Sequence, residues 1–324
     1  MDNLTHSLVG LMLSRTGLDT WAAKRGEKGT AAMMMLAANA PDVDAYPFFT
    51  NQLDYLSVHR GYTHALAFVP LVALLPMAIM WAVTRKKPTL LAWFFCVLAI
   101  LSHLVLDWTN VYGIRMLLPF SDRWLRLDIT NVVDPVIWAI LLLCMAVPAV
   151  LALVSREIGQ KKTSGLRRGW AWAALLGLLA YEGLRWDSHE RAVDGMNALL
   201  YMDRPAKHVY AFPDGLGLRS WRGVVEGDSF YYVMDVDRSG EFDLRNADLG
   251  YKAPVTPELD VARQTPVFQA FLRFNQVPFW RTSPLEDATE VQLLDLRFGG
   301  FDGSIFMATA TVRRDGSAEA HFGR

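Results

Sequence analysis

Apolar residues fall into long unbroken runs in the first half of this chain and into short alternating runs in the second. Four runs are long enough to cross a bilayer as helices: Ala65–Val83, Thr89–Leu106, Val132–Val154 and Gly169–Leu184, the last being the shortest. Two shorter helical stretches, Leu4–Arg15 and Thr30–Ala40, precede them. Neither spans alone, so they form a half-depth hairpin or belong to longer spans that enclose Arg15 and Asp19. From about residue 186 the pattern is that of a soluble domain. Trp186–Met202 reads as a helix and Thr265–Phe274 as a shorter one. Strand-like runs occupy Ser220–Val225, Ser229–Val236, Phe242–Leu244, Val291–Phe298, Ile305–Arg313 and Ala318–Phe322, with a hairpin signal at Asp315-Gly316. The expected architecture is an α-helical integral membrane domain, residues 1–185, of about four spans plus two short N-terminal helices, followed by a small α+β domain, residues 186–324.

Loop charges orient the spans, because Lys and Arg in short loops stay on the cytoplasmic side. Arg85, Lys86 and Lys87 follow the first span, and Arg156, Lys161, Lys162, Arg167 and Arg168 follow the third. Lys24, Arg25 and Lys28 sit at the tip of the early hairpin. The opposite ends of these segments, and the C-terminal domain, are then expected on the outer face of the membrane. The N-terminus lacks the basic region and cleavage pattern of a secretory signal peptide. A formal net charge of −1 argues against bulk electrostatic binding to nucleic acid. The only cysteines, Cys96 and Cys144, lie inside apolar runs, which disfavours a disulfide framework or a Cys-rich zinc site.

This orientation gathers costly side chains on one membrane face. His6 begins the first short helix, Pro41-Asp42-Val43-Asp44 ends the second, His59-Arg60-Gly61-Tyr62-Thr63-His64 precedes the first span, and His103 and Asp107 close the second. His103 and Asp107 are four apart on a helix and share a face. His59 and His64 flank Gly61, a spacing that suits a turn leading into a helix. Pro41 stops the preceding helix, leaving Asp42 and Asp44 in an extended or turn segment. Imidazoles with carboxylates suit zinc or manganese rather than calcium. Such an ion would lower the pKa of a bound water, and Arg60 would bind an anionic group such as phosphate. Taken singly, these residues have plainer roles: His6 structural, Asp42 a helix stop or Asx-turn, and Asp107 a cap. Asp134 before Pro135 is most simply a helix N-cap.

The motifs Met1-Asp2…Thr5-His6, Pro41–Asp44, His59–His64 and His103…Asp107…Thr109…Tyr112-Gly113 resemble the YdjM-like family of membrane-bound, metal-dependent hydrolases. The likeness is close over roughly the first 140 residues and looser beyond. It implies an integral membrane protein with hydrolase activity and His and Asp ligands at His6, Asp42, Asp44, His59, His64, His103 and Asp107. The His-x-x-x-Asp helix is also similar to ligand pairs in zinc-dependent phospholipase C and P1-nuclease-like enzymes, which points to phosphoester substrates.

The sequence therefore leads to a metal ligand set of His6, Asp42, His59, His64, His103 and Asp107, with Asp42, Asp44 and Arg60 as catalytic candidates. The expected substrate is a phosphoester or other ester of a lipid or envelope precursor, and the bilayer is the expected partner. Two competing readings remain: a non-enzymatic metal-binding scaffold or sensor, favoured by closed coordination, and a metal transporter, for which only Arg15 and Asp19 speak. In the C-terminal domain, Asp235-x-Asp237-x-Ser239-Gly240 resembles a calcium loop but has Asn246 at its twelfth position and strand-like flanks, so a hairpin turn is expected. His189, His208 and His321 read as isolated surface or packing residues.

Overall fold

The computed structural model describes residues 1–157, 164–214 and 220–323. They gather into two compact units, Met1–Asp44 with Arg60–Asp187, and Ala45–His59 with Ser188–Arg324. Residues 45–59, which the sequence reading kept with the membrane domain, thus belong to the second unit.

The first unit is helical. Helix α1 (Asn3–Leu13) begins where the Asp2 carboxylate accepts hydrogen bonds from the Leu4 and Thr5 amides. Asp2 also accepts from the Trp138 indole at 3.1 Å, tying this cap to a later helix. Beyond Leu13 the helix widens through Ser14–Leu18 and kinks at Gly17, where φ is +123°. Helix α2 (Thr30–Asn39) ends just before Pro41, whose ring cannot continue a helix.

Among the described residues, three helices are long and apolar enough to cross a membrane: α3 (Leu66–Thr84), α4 (Leu90–Thr109) and α5 (Pro135–Glu157, apolar through Ser155). The fourth apolar run, Gly169–Leu184, lies inside α6 (Ser164–Asn197) and is not among them. Arg167 and Arg168 on one side, and Glu182 and Arg185 on the other, make its apolar stretch shorter than those three. Of the basic residues expected in the loop before it, Lys161 and Lys162 lie outside the described residues. Helix α5 opens on Asp134, which caps the Val136 amide at 2.9 Å with Pro135 at the first helical position. Its second carboxylate oxygen accepts from the Tyr181 hydroxyl at 2.9 Å, so the N-cap reading of Asp134 holds.

Helix α4 is the central element. Half of its apolar stretch is buried (50%), against 22% in α3 and 17% in α5. The two early helices account for the difference. Met34, Ala37 and Ala38 of α2 are fully buried and share a core with Phe95, Cys96, Ala99, Ile100 and Leu104 of α4. Leu8, Val9 and Met12 of α1 pack with Leu106, Ile137, Leu141, Ala174 and Leu178. Where α1 crosses α2, a Cβ on Gly10 would sit 2.7 Å from the Met34 carbonyl oxygen. Small residues let these helices approach where water supplies little driving force.

The second unit holds two antiparallel four-stranded sheets. In the first, β1 (His208–Pro213), β2 (Ser220–Glu226), β3 (Phe230–Asp237) and β4 (Asp248–Tyr251) lie in sequence order. The second has the order β8-β7-β6-β5, from β5 (Pro278–Pro284), β6 (Ala288–Asp295), β7 (Met307–Arg313) and β8 (Ala318–Phe322). Helices α7 (Pro257–Gln264) and α8 (Pro266–Phe274) join the sheets, and the short helix Gln52–Val58 packs on α8. Within these two sheets, the strands that the sequence pattern does not predict, β1, β4 and β5, are all edges. Edge strands tolerate the prolines that begin and end β5 and that disqualify a central strand.

Phe242–Leu244 is not a strand. The Asp243 side chain bonds the Arg245 amide and opens a 3-10 turn, Leu244–Asn246. The helix expected to reach Met202 stops at Asn197, and Leu200–Tyr201 instead pairs with Arg204–Pro205. The hairpin at Asp315-Gly316 joins β7 to β8 as expected, with Asp315 Oδ1 accepting from the Ser317 amide at 2.8 Å. Asp237 likewise closes its turn, with Oδ1 accepting from the Ser239 amide at 2.7 Å and the Glu241 amide at 2.9 Å. That carboxylate serves the turn.

The Gly10 crossing makes a direct stability prediction. Gly10→Val should lower the thermal midpoint of the detergent-solubilised protein, at a cost of about 1–3 kcal/mol. Gly183→Ala, where an added Cβ meets nothing within 4 Å, should leave it unchanged or raise it slightly. Equal midpoints for Gly10→Val and the parent would refute the close crossing.

Candidate metal centre

The centre is assembled at the C-terminal end of α4, where His103 and Asp107 occupy successive turns. His64 arrives on a 3-10 turn, Tyr62–His64, and Asp42 on the 3-10 segment Pro41–Phe49. The left-handed backbone in this region falls on Arg60 (φ +59°) rather than on Gly61. Asp42, His64, His103 and Asp107 each offer a ligand atom, and the four atoms lie within 4.8 Å of one another. His64, His103 and Asp107 are completely buried, while the Asp42 side chain keeps 10% exposure and marks the accessible side.

The separations have the scale of a coordination shell. His64 Nε2 lies 3.1 Å from His103 Nε2 and 3.4 Å from Asp42 Oδ1. His103 Nε2 lies 3.7 Å from Asp42 Oδ1. Asp107 Oδ2 is 3.5 Å from each imidazole Nε2. Four donors held tetrahedrally by bonds of about 2.0–2.1 Å stand roughly 3.3–3.4 Å apart.

Surrounding groups aim these donors. His103 Nδ1 donates to the Ala38 carbonyl at 2.7 Å, which leaves the Nε2 lone pair for the centre. His64 Nδ1 faces Asp44 Oδ2 at 3.2 Å, and the Thr63 hydroxyl donates to the same oxygen at 2.5 Å. Asp44 therefore orients His64 through its far nitrogen. Asp107 Oδ1 accepts from Arg60 Nη2 at 3.1 Å, from Asn110 Nδ2 at 3.2 Å, and from the Met1 ammonium. Its other oxygen, Oδ2, is buried without a hydrogen-bond partner and faces both imidazoles. A buried carboxylate oxygen left this way is costly, and a divalent cation among the four donors would satisfy it. The residues fit such an ion. Burial works to raise the Asp42 carboxyl, but the imidazoles of His103, His64 and His6 outweigh it and hold the group well below the usual carboxylate range.

The remaining sequence candidates divide. His6 stacks on His103 with ring centroids 3.7 Å apart, and its Nε2 lies 3.5 Å from Asp107 Oδ1. It is fully buried, neither ring nitrogen has a hydrogen-bond partner, and it stands beside the four-donor set. His59 belongs to the second unit, where its ring stacks on Tyr55 at 4.7 Å. Arg60 is buried and directed at protein groups. It donates to Asn110 Oδ1 and the Gly113 carbonyl at 3.1 Å each, as well as to Asp107, and lies over the Tyr112 ring at 4.4 Å. This geometry makes it an anchor for Asp107 instead of an exposed phosphate clamp. Asn110 escaped the sequence reading, although a polar side chain three residues beyond Asp107 at the helix end was its signal.

Asp44→Ala should weaken zinc binding about 10–100-fold, the usual cost of losing a carboxylate that orients a ligand imidazole. Competition against a chromophoric chelator in detergent measures this. Unchanged affinity would remove Asp44 from the centre.

Comparison with known proteins agrees with the membrane architecture. The chain is similar to the uncharacterized protein YfhP of Bacillus subtilis (strain 168), with 26% identity over 329 residues, 97% of this chain and 92% of that protein. No solved structure matches. The family model for the YdjM inner membrane protein matches residues 1–192, which include all four donors and all three membrane-length helices. The chain belongs to the YdjM inner membrane protein family.

Proposed function

We propose that this protein is a membrane-bound, metal-dependent hydrolase that cleaves a phosphoester or other ester of a lipid or envelope substrate. The observation that carries this reading is the buried set of two imidazoles and two carboxylates, with one carboxylate oxygen unpartnered, at the end of a membrane-length helix. Zinc suits the donors best, and manganese is the alternative. When bound, such an ion lowers the pKa of a coordinated water and so supplies a nucleophile near neutral pH.

The protein's own groups do the rest. His64, His103 and Asp107 would hold the ion from the buried side, with Asp44, the Ala38 carbonyl and Arg60 fixing their directions. Asp42, on the accessible side, would complete the shell or leave that position to a water molecule. His103 stands six residues before the end of α4, roughly 9 Å along the helix axis. That depth suits a substrate whose reactive group lies near the membrane interface.

The centre is at the end of α4 opposite the loop carrying Arg85, Lys86 and Lys87. The positive-inside rule then puts the centre on the extracytoplasmic face of a multi-pass inner membrane protein. The same rule favours an extracytoplasmic second unit, with the apolar part of α6 as a further, short span. A second reading rests on the donor count: four protein ligands make a closed shell of the structural kind, which a metal-binding scaffold or sensor would need.

Metal analysis and a panel of lipid and soluble phosphoesters separate the two. Chelation should abolish hydrolysis and zinc should restore it. His103→Ala should lose the metal while still inserting in the membrane. Asp42→Asn should keep the metal on the three buried donors with lower affinity, and turnover should fall with metal occupancy. Metal-loaded protein that hydrolyses nothing on the panel would favour the scaffold, and hydrolysis surviving full metal removal would contradict the mechanism. A phosphatase reporter fused after the C-terminus should be active, and a silent one would reverse the orientation.

A further inference from the structure

The 3-10 turn that delivers His64 inward turns Tyr62 outward, where it is 58% exposed while His64 is fully buried. Tyr62 packs edge-on against Phe68, with ring centroids 5.4 Å apart, at the start of α3. The Leu66 amide, the first of α3, donates to the Met116 carbonyl at 3.0 Å. That bond fastens the loop after α4 to the beginning of a membrane-length helix. The fastened loop displays Leu117 at 41% exposure and Phe120 at 90%. Its stem is held from inside, because the Arg115 amide donates to the Arg60 carbonyl and Arg60 Nη1 to the Gly113 carbonyl. Arg60 is also the residue that grips Asp107. An outward-facing aromatic group, a mostly exposed apolar helix and a metal ligand's anchor thus meet within one short stretch.

We propose that Tyr62, Leu66, Leu117 and Phe120 form a lip that inserts into the lipid interface beside the metal centre and admits a bilayer-resident amphiphile to it. The occupant is the bilayer, because the lip continues the lipid-facing surface of α3, of whose apolar stretch only 22% is buried. Phenylalanine exposed to water at a loop tip is unfavourable, whereas the same ring among lipid headgroups and upper acyl chains is stabilised. The inference rests on the hydrolase reading for its second half only. It narrows the substrate class to a lipid phosphoester that enters from the membrane plane.

The test uses the full-length protein in vesicles of phosphatidylethanolamine and phosphatidylglycerol. An environment-sensitive fluorophore on Phe120→Cys should be quenched by lipids carrying a nitroxide near the headgroup and shielded from aqueous iodide. The same fluorophore on Asp315→Cys, at a hairpin tip of the second unit, should show the reverse, and labelled parent protein corrects for Cys96 and Cys144. A Phe120 label quenched by iodide and not by lipid overturns the lip, whatever the protein hydrolyses. Phe120→Ser should raise the KM for a vesicle-embedded phosphoester about tenfold and leave a short-chain, water-soluble phosphoester unaffected. An equal loss on both substrates overturns lateral entry. Failure of the parent protein to cleave either one counts against the hydrolase reading and, with it, lateral entry, while the quenching result still decides insertion.

Discussion

Everything in the first unit is arranged around the burial of two carboxylates beside two imidazoles at the end of an apolar helix. Charge in such a place is tolerated only when partnered. Asp107 illustrates the solution: one oxygen takes Arg60, Asn110 and the Met1 ammonium, and the other is left facing His64 and His103. The saturated oxygen holds the side chain still, and the other makes no hydrogen bond. A cation among the four donors would complete this arrangement.

The early helices make this possible. They are too short to cross a membrane, and the structure uses them as packing for α4. Their small residues permit that: Gly10 lies close to the Met34 carbonyl, and Ala37 and Ala38 share one core with Ala99 and Ile100. Close packing brings the Ala38 carbonyl to His103 Nδ1 and the His6 ring onto the His103 ring. The backbone at the end of α2 therefore orients a ligand, and the chain that follows Pro41 supplies another. Stability and chemistry are joined here, because loosening the α1–α2 crossing would also release the orientation of His103.

The second unit follows different rules. Its sheets are antiparallel, its turns are closed by Asp237 and Asp315, and Asp295 and Arg297 form a fully buried ion pair among aromatic rings. Nothing in these contacts requires a metal. The calcium-like spacing at Asp235–Gly240 comes down to a turn, since the oxygen that would meet an ion already accepts several hydrogen bonds.

The sequence by itself determined the elements whose signals are local. Membrane-length helices come from unbroken apolar runs, the Asp134 cap from Asp-Pro at a helix start, the hairpin from Asp315-Gly316, and the pairing of His103 with Asp107 from their spacing on one helix. It also singled out Asp42 and His64, because polar side chains at the ends of apolar runs stand out against their surroundings. Only the tertiary structure decided how these residues divide the work. Asp44 and Arg60 occur in the same short motifs as the donors, yet one supports His64 and the other holds Asp107. Edge strands, the place of residues 45–59 and the part played by Asn110 were equally hidden. The physical reason is common to all of them: a donor is recognised by residue type, but its partner is chosen by which backbone comes close, and that is settled when the helices pack.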